Sequence, residues 1–416
     1  MQPAPCASAE GDASSIPRER SWLFIFLSAP DAVIALGLVD GGLSYLLRNE
    51  GVDPARAASI VALLSLPHAI YFLWGPVTDF FIRRRSWLLL AAVFSAFALL
   101  LAFHEPRLSS SRAVALLLIA ACIGVVAPAA CGGMMGTLRR DISRRRAGSF
   151  YQCGSLAFGA VATFLLVSCS QRNTLFALGC MIAALVALPA LFVFAASAQP
   201  VLSEHSVSQT AGLIWREFKA TFLRWEAIPY ALLITFPMCS GGMLGLLPEL
   251  ARDYGVSGSA VAWINGLAGA LLTTLGALAV SLIPVRIRAS VAYLLAGLVN
   301  AAALAVLAIG PMRPAVYFAG TVLFLFTIGA CYALFTGVSL EFLGNSGKSG
   351  STRYAIINSL GNLPVAYMAW LDGRGYAHWG PRGMPGTDAI VSLAGALLLL
   401  AHFLFSRRIR SPARAA

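Results

Sequence analysis

The sequence predicts an all-α membrane protein of 12 transmembrane helices in two six-helix parallel repeats. Three observations carry that expectation. The 416 residues are 58% hydrophobic and only 12% charged, whereas soluble domains run near a quarter charged. Apolar runs long enough to cross a bilayer recur along the whole chain. A motif near the start returns 204 residues later, Arg48 falling on Arg252.

A helix needs about 20 apolar residues to span the hydrocarbon core. In chain order such runs lie near 22–47, 55–82, 87–104, 113–136, 149–170, 175–196, 227–248, 259–284, 289–310, 315–343, 352–371 and 388–405. They are continuous and far longer than barrel strands, which excludes a β-barrel. An even number of spans puts both termini on one side. With that side inside, 21 of the 30 Lys and Arg residues fall on cytoplasmic segments, as the positive-inside rule requires. The expected setting is the cytoplasmic (inner) membrane, with both termini in the cytoplasm.

Residues 1–20 are rich in Ala, Ser and Pro and lack an apolar stretch. They read as a disordered cytoplasmic tail, not a signal peptide. The first bundle occupies 21–196. The longest polar loop, 197–226, divides the chain near its middle, and within it Ile214, Phe218, Phe222 and Trp225 repeat at helical spacing with Arg216, Lys219 and Arg224 largely off that stripe. This predicts an amphipathic connector lying on the membrane surface. The second bundle runs over 227–405, and a basic tail, 406–416, closes the chain. The outer stretch Asp372–Thr387, rich in Gly, Trp, His and Pro, is expected to be a loop, either capping the outer mouth or disordered.

The formal charge of +12 is spread over separate loops, so it does not form the single basic face that nucleic acid needs. Eight cysteines show no metal-ligand spacing. No metal or cofactor is expected. The expected partners are a small-molecule substrate, the lipid bilayer and protons, with the chain acting as a monomer.

Internal similarity gives the architecture. Tyr45–Val52 aligns with Glu249–Val256, with identities at Leu46/Leu250, Arg48/Arg252, Gly51/Gly255 and Val52/Val256. The same offset places Ser155-Leu156 on Ser359-Leu360. Copies separated by six spans have the same membrane orientation, and parallel repeats of this kind hold a substrate between the halves at mid-membrane.

The stretch Tyr71-Phe-Leu-Trp-Gly-Pro-Val-Thr-Asp79, followed by Arg83-Arg-Arg-Ser-Trp-Leu-Leu-Leu90, resembles the signature K-F-L-W-x-P-[LV]-x-D-R of the AmpG-like/acetyl-CoA transporter branch of the major facilitator superfamily. Gly42–Val52 and Arg353–Asp372 are similar too. Tyr71 stands where the branch usually has lysine and Phe80 where it usually has arginine, and twelve spans replace the fourteen often seen in bacterial muropeptide permeases. The resemblance implies a muropeptide-, siderophore- or acyl-CoA-like substrate, and places Asp79 with Arg83, Arg84 and Arg85 at the superfamily's gating position between helices 2 and 3. There a carboxylate can pair with a basic group across the half-interface and hold the cytoplasmic side shut. Otherwise it simply sits at the headgroups, paired with its neighbouring arginines.

Intramembrane ionisable groups are the other candidates, because they are costly unless paired, solvated or protonated. Asp31 lies roughly 13 Å into its helix and His68 roughly 22 Å from the outer edge at 1.5 Å per residue, so both sit near mid-depth. Each follows a proline, Pro30 or Pro67. Histidine titrates in the physiological range and suits a coupling proton; the plainer role is a packed histidine bonded to a backbone carbonyl. Whether Asp31 and His68 face each other is not readable from sequence. Asp40, nine residues beyond Asp31, is expected half a turn away on a regular helix, nearer the outer mouth. Tyr71, Gln152, Asn265, Asn358 and Asn362 are substrate-cavity candidates, against the plainer role of helix-to-helix hydrogen bonding. Asn358 and Asn362 share a face at i,i+4.

Gly347-Lys-Ser349 is not a Walker A loop, since Phe342 stands where glycine is needed and no strand precedes it. Gly132–Gly136 lacks the βαβ setting of a dinucleotide site. The expected function is secondary active transport of a small organic solute, probed against an exporter of drugs or metabolites, a membrane-embedded transferase, and a transporter-like receptor without turnover.

Overall fold

The computed structural model describes residues 19–52, 54–69, 71–73, 75–79, 82–170, 173–196, 228–244, 246–284, 286–343 and 350–410, with isolated positions 212, 215, 219 and 223. The expected tails over 1–18 and 411–416 and nearly all of the amphipathic connector lie outside these residues. Among the described residues every regular element is helical, and nine helical stretches are long and apolar enough to cross a membrane. The chain is therefore an integral multi-pass membrane protein.

We number the crossings α1 Ser21–Gly42, α2 54–79, α3 Arg84–His104, α4 Ser111–Gly136, α5 Asp141–Cys169, α6 Leu175–Ala195, α7 228–250, α8 258–282, α9 Ala289–Ile309, α10 Pro314–Leu343, α11 Gly350–Trp379 and α12 Gly383–Arg410. α7 is broken over 236–241 and α2 carries the 3-10 turn Tyr71–Leu73; neither is among the nine, and the stretch Ser351–Ala401 contains both α11 and α12.

The two halves meet with matched contacts. α5 packs on α8 and α10 of the second half, and α11 packs on α2 and α4 of the first. The internal duplication reappears in backbone detail. Gly51 (φ 80°) and Gly255 (φ 69°) both turn into the left-handed region, where a Cβ is penalised. The following amides close the same bond, Val52 N to Leu47 O at 3.0 Å and Val256 N to Ala251 O at 2.9 Å.

α1 departs from a regular helix. Val33–Gly42 winds as a π-helix, with the Leu43 amide reaching Leu38 O. The cause lies in Gly37, Gly41 and Gly42, which let α5 come close: the Thr163 hydroxyl sits 3.1 Å from both Gly37 O and Gly159 O, diverting a carbonyl from the helical ladder. A Cβ on Gly37 would meet Ala162 Cβ and lie 3.0 Å from Gly159 O. Gly37→Leu is expected to push α1 off α5 and destabilise the first half by about 1–3 kcal/mol, the usual cost of overpacking. A melting curve of the detergent-purified protein checks it.

One expected element is corrected. Asp372–Thr387 is no outer loop: α11 and α12 run through it and are joined by the short turn Gly380–Arg382. Gly375 and Gly383 allow this, since a Cβ on either would collide with the facing helix. Around the bundle, large apolar side chains such as Phe97, Phe164 and Leu397 point outward, as contact with lipid requires.

Candidate functional site

A cavity of about 540 Å³ lies between the halves. It is built where helices are irregular. On one side stand the π-helical part of α1 and the broken middle of α2. On the other is the break in α7 over 236–241, whose Met238, Cys239, Ser240 and Gly241 line the cavity. Shifted by the repeat offset, this break falls on 32–37 of α1, so corresponding places in the two halves carry the irregular backbone, the usual construction of a carrier's central site. Cys239 even adopts a left-handed backbone (φ 55°), a conformation that costs a non-glycine residue roughly 1 kcal/mol.

Asp31 and His68 face each other in this cavity. His68 Nε2 lies 2.9 Å from Asp31 Oδ1, with the side chains 28% and 18% exposed. Pro67 sits one residue before the histidine, just ahead of the interruption in α2. Asp40 lines the same cavity and is exposed at its mouth. The expectation that Asp31 and Asp40 lie on opposite faces fails for a physical reason. Each residue of a π-helix advances by roughly 80–85° instead of 100°, which swings Asp40 back toward the side of Asp31.

The opposite end of the cavity, the Asp79 end, is sealed. Asp79 is 1% exposed and Arg84 3%. One Asp79 oxygen accepts from Arg84 Nη2 at 2.9 Å and from the Ser351 amide at 3.1 Å; the other accepts from the Thr352 amide and the Thr352 hydroxyl, both at 2.8 Å. Ser351 and Thr352 begin α11, whose first amides have no partner in their own helix and whose dipole favours an anion. Asp79 thus reaches across the half-interface to a helix N-terminus rather than to a basic side chain of the second half. Of the three arginines it engages Arg84, which also donates to Gly133 O at 3.2 Å; Arg83 and Arg85 are half-buried.

Gly75 completes the seal. A Cβ there would lie 2.7 Å from Thr352 Cα and 2.8 Å from Ala355 Cβ, so only glycine lets α2 meet α11 so closely. The matching contact of the other repeat runs from α5 to the α8–α9 loop, where Arg145 donates to Pro284 O at 3.2 Å and Ile287 O at 2.8 Å. Arg145→Ala is expected to loosen this end without dismantling the fold. Thiol labelling of a cysteine introduced at Ala355 should then rise severalfold, and an unchanged rate would remove Arg145 from the gate.

The remaining candidates divide. Tyr71, Gln152, Asn358 and Asn362 line the cavity. The Tyr71 hydroxyl is buried without a hydrogen-bond partner among the described residues, and Asn358 spends its amide N–H on Tyr354 O at 2.9 Å, leaving its oxygen available. Asn265 does not reach the cavity. Its amide donates to the Tyr317 hydroxyl at 2.9 Å and joins α8 to α10, the ordinary use of an intramembrane amide. The sequence reading did not select the phenols of Tyr151, Tyr293, Tyr332 and Tyr354 as substrate contacts, yet all four line the cavity. Tyr151 and Tyr332 lie deep in their spans, a signal in itself, whereas Tyr293 and Tyr354 sit one turn into α9 and α11 and read as tyrosines of the interfacial belt. Among the described lining residues there is no Lys or Arg.

Fold and site together define the class: an all-helical membrane bundle of two repeats around a central cavity with two acids, a histidine and several phenols and amides in its lining. No protein-family model matches the chain, and no curated protein matches it. Solved structures do. The chain is similar to the human organic anion transporter MFSD10 (TETRAN), with a TM-score of 0.68 at 18% identity, covering 92% of this chain and 100% of that one. It is also similar to the major facilitator superfamily proton:xylose symporter XylE bound to 6-bromo-6-deoxy-D-glucose, with a TM-score of 0.64 at 14% identity, covering 92% of this chain and 94% of that one. The chain has the major facilitator fold.

Proposed function

We propose that the protein is a secondary active transporter that moves a small organic solute by alternating access, coupled to protons. The cavity carries this reading: lined by both halves, holding ionisable side chains, reaching exposed Asp40 at one end and sealed at the other by contacts of Asp79 that can break as a unit. Rocking one half against the other around a fixed site is the motion such a construction supports. The Asp31–His68 pair is the proton-coupling group, with Asp40 at its mouth, and Tyr71, Gln152, Asn358 and Asn362 are substrate contacts. Under the positive-inside rule the Asp79 end faces the cytoplasm, as do both tails and the linker 197–226, with the chain a monomer in the inner membrane.

The cavity chemistry narrows the solute. With His68 as the only basic side chain among the described lining residues and two acids present, a neutral, hydroxyl-rich or cationic solute fits better than a polyanion. Of the muropeptide-, siderophore- and acyl-CoA-like classes implied by resemblance, the phosphate-rich acyl-CoA is the poorest match. Of the similar structures, one is an organic anion transporter and the other a proton:xylose symporter; the sugar is closer to this lining.

Proteoliposomes with a trapped pH dye test the proposal. Adding a transported solute should move protons with it, and opposite protein orientations separate uptake from export of drugs or metabolites. Binding of these solutes without any flux would end the transport reading.

A further inference from the structure

At the far end of the second half, remote from the Asp31–His68 pair, two carboxyl groups meet inside the protein. Asp372 on α11 is 0% exposed, Asp388 on α12 3%, and Ser392, one turn beyond Asp388, 1%. Among the described residues no donor reaches either oxygen of Asp372. The group within its reach is the Asp388 carboxyl, itself an acceptor unless it carries a proton.

Counting hydrogens shows that it must. Ser392 Oγ lies 2.6 Å from Pro237 O and 2.8 Å from Asp388 Oδ1. A hydroxyl has one proton to donate, and the Pro237 carbonyl can only accept. The Ser392 proton therefore belongs to Pro237 O, and the contact with Asp388 holds only if a proton is supplied from the acid side. Two acceptors in buried contact, Asp372 and Asp388, make the same demand, because adjacent carboxylates out of water cannot both ionise.

We propose that Asp372 and Asp388 form a proton-binding site that is occupied at neutral pH and latches α12, through Ser392, to the break in α7. Beyond the hydroxyl's own proton the contacts need two: one on Asp388 Oδ1, donated to the Ser392 oxygen, and one on Asp372, donated to Asp388. Loss of the Asp388 proton leaves that carboxylate competing with Pro237 O for the one hydroxyl proton, so the latch lets go. Pro237 directly precedes Met238–Gly241, the segment that lines the cavity, and the site thereby ties protonation to the cavity wall.

Few other charges face it. α7 presents the Cys239 thiol, which senses Asp388, and α9 presents Tyr293, whose hydroxyl reaches Met238 O at 3.4 Å. On α11, Arg374 stacks on Trp370 and His378 lies beside Trp379; in the following turn Arg382 donates to Gly310 O, and Tyr376 bonds Asp253. Among the described residues no ion pair joins a cation to either acid.

Infrared pH titration of the full-length protein in lipid nanodiscs reads the site without any transport assay. Wild type should show a protonated-carboxyl C=O band at neutral pH that disappears on alkalinisation, and the band should be lost in D372N/D388N. Should that double variant fold poorly, Asp388→Asn supplies an amide N–H in place of the proposed donor; it should melt like wild type and keep only the Asp372 part of the band. Ser392→Ala should keep the band and shift it. A neutral-pH band unchanged by these acid substitutions overturns the proposal, and so does a band that responds to added sodium rather than to pH.

Discussion

Asp79→Asn should leave the Asp79 end unable to stay shut. The carboxylate holds Arg84 on its own side and two amides and a hydroxyl of α11 on the other, with almost no solvent access. An asparagine offers one acceptor oxygen instead of two and turns an NH₂ toward groups of which only the Thr352 hydroxyl can accept. Arg84 is then buried without its counter-charge. The Asp79–Arg84 pair lies within the first half; what the closed arrangement alone has is the set of hydrogen bonds from α11, and a hydrogen bond to a charged group is worth about 1.5–3 kcal/mol. A bias of this size shifts a two-state equilibrium by roughly ten- to a hundredfold.

The expected readout is fast labelling of a cysteine placed at Ala355, which is fully buried in wild type, together with near-complete loss of solute accumulation. Gly75→Leu should give the same phenotype by a different route, wedging α2 from α11 while Asp79 stays intact. Slow labelling in both variants, with transport preserved, would remove the seal from the mechanism.

Much of this was legible in the chain. Span lengths, the Arg83–Arg85 run and the duplication around Gly51 and Gly255 follow from hydrophobicity and from a backbone requirement that repeats, and both act locally. The acids Asp31 and Asp79 stood out because charge in an apolar run needs a reason. What could not be read depended on departures from regular helix. The placement of Asp40 assumed 100° per residue, and only the close approach of Thr163 to Gly37 reveals why α1 winds more loosely. Asp372 and Asp388 were hidden for the converse reason. Gly, Pro and His suggested a loop, whereas Gly375 and Gly383 serve the close packing of two continuous helices. Asn265 is polar at mid-span like Asn358, and only its neighbour Tyr317 separates the two roles.

Removing the Asp31 carboxylate should uncouple transport without unfolding the protein. The pair it forms with His68 is partly open to the cavity, so its share of stability is small, about 1 kcal/mol or less, and melting should barely change. In the proposed coupling its weight is larger: a protonated His68 imidazole donates to Asp31 as an ion pair, whereas the neutral ring donates only from the tautomer with its hydrogen on Nε2. Asp31→Asn leaves the imidazole facing a neutral amide that does not favour the charged form. Proton-driven accumulation should fall at least about tenfold, comparable to the loss when one partner of a positioned acid–base pair is removed, while solute-for-solute exchange, which needs no net proton movement, continues. Uptake that rises as external pH falls in wild type should become flat. His68→Gln should behave alike, and Asp40→Asn, at the mouth, should alter apparent affinity more than coupling. If Asp31→Asn keeps the wild-type pH profile, the proton travels by another group; if exchange is lost as well, Asp31 binds the solute rather than the proton.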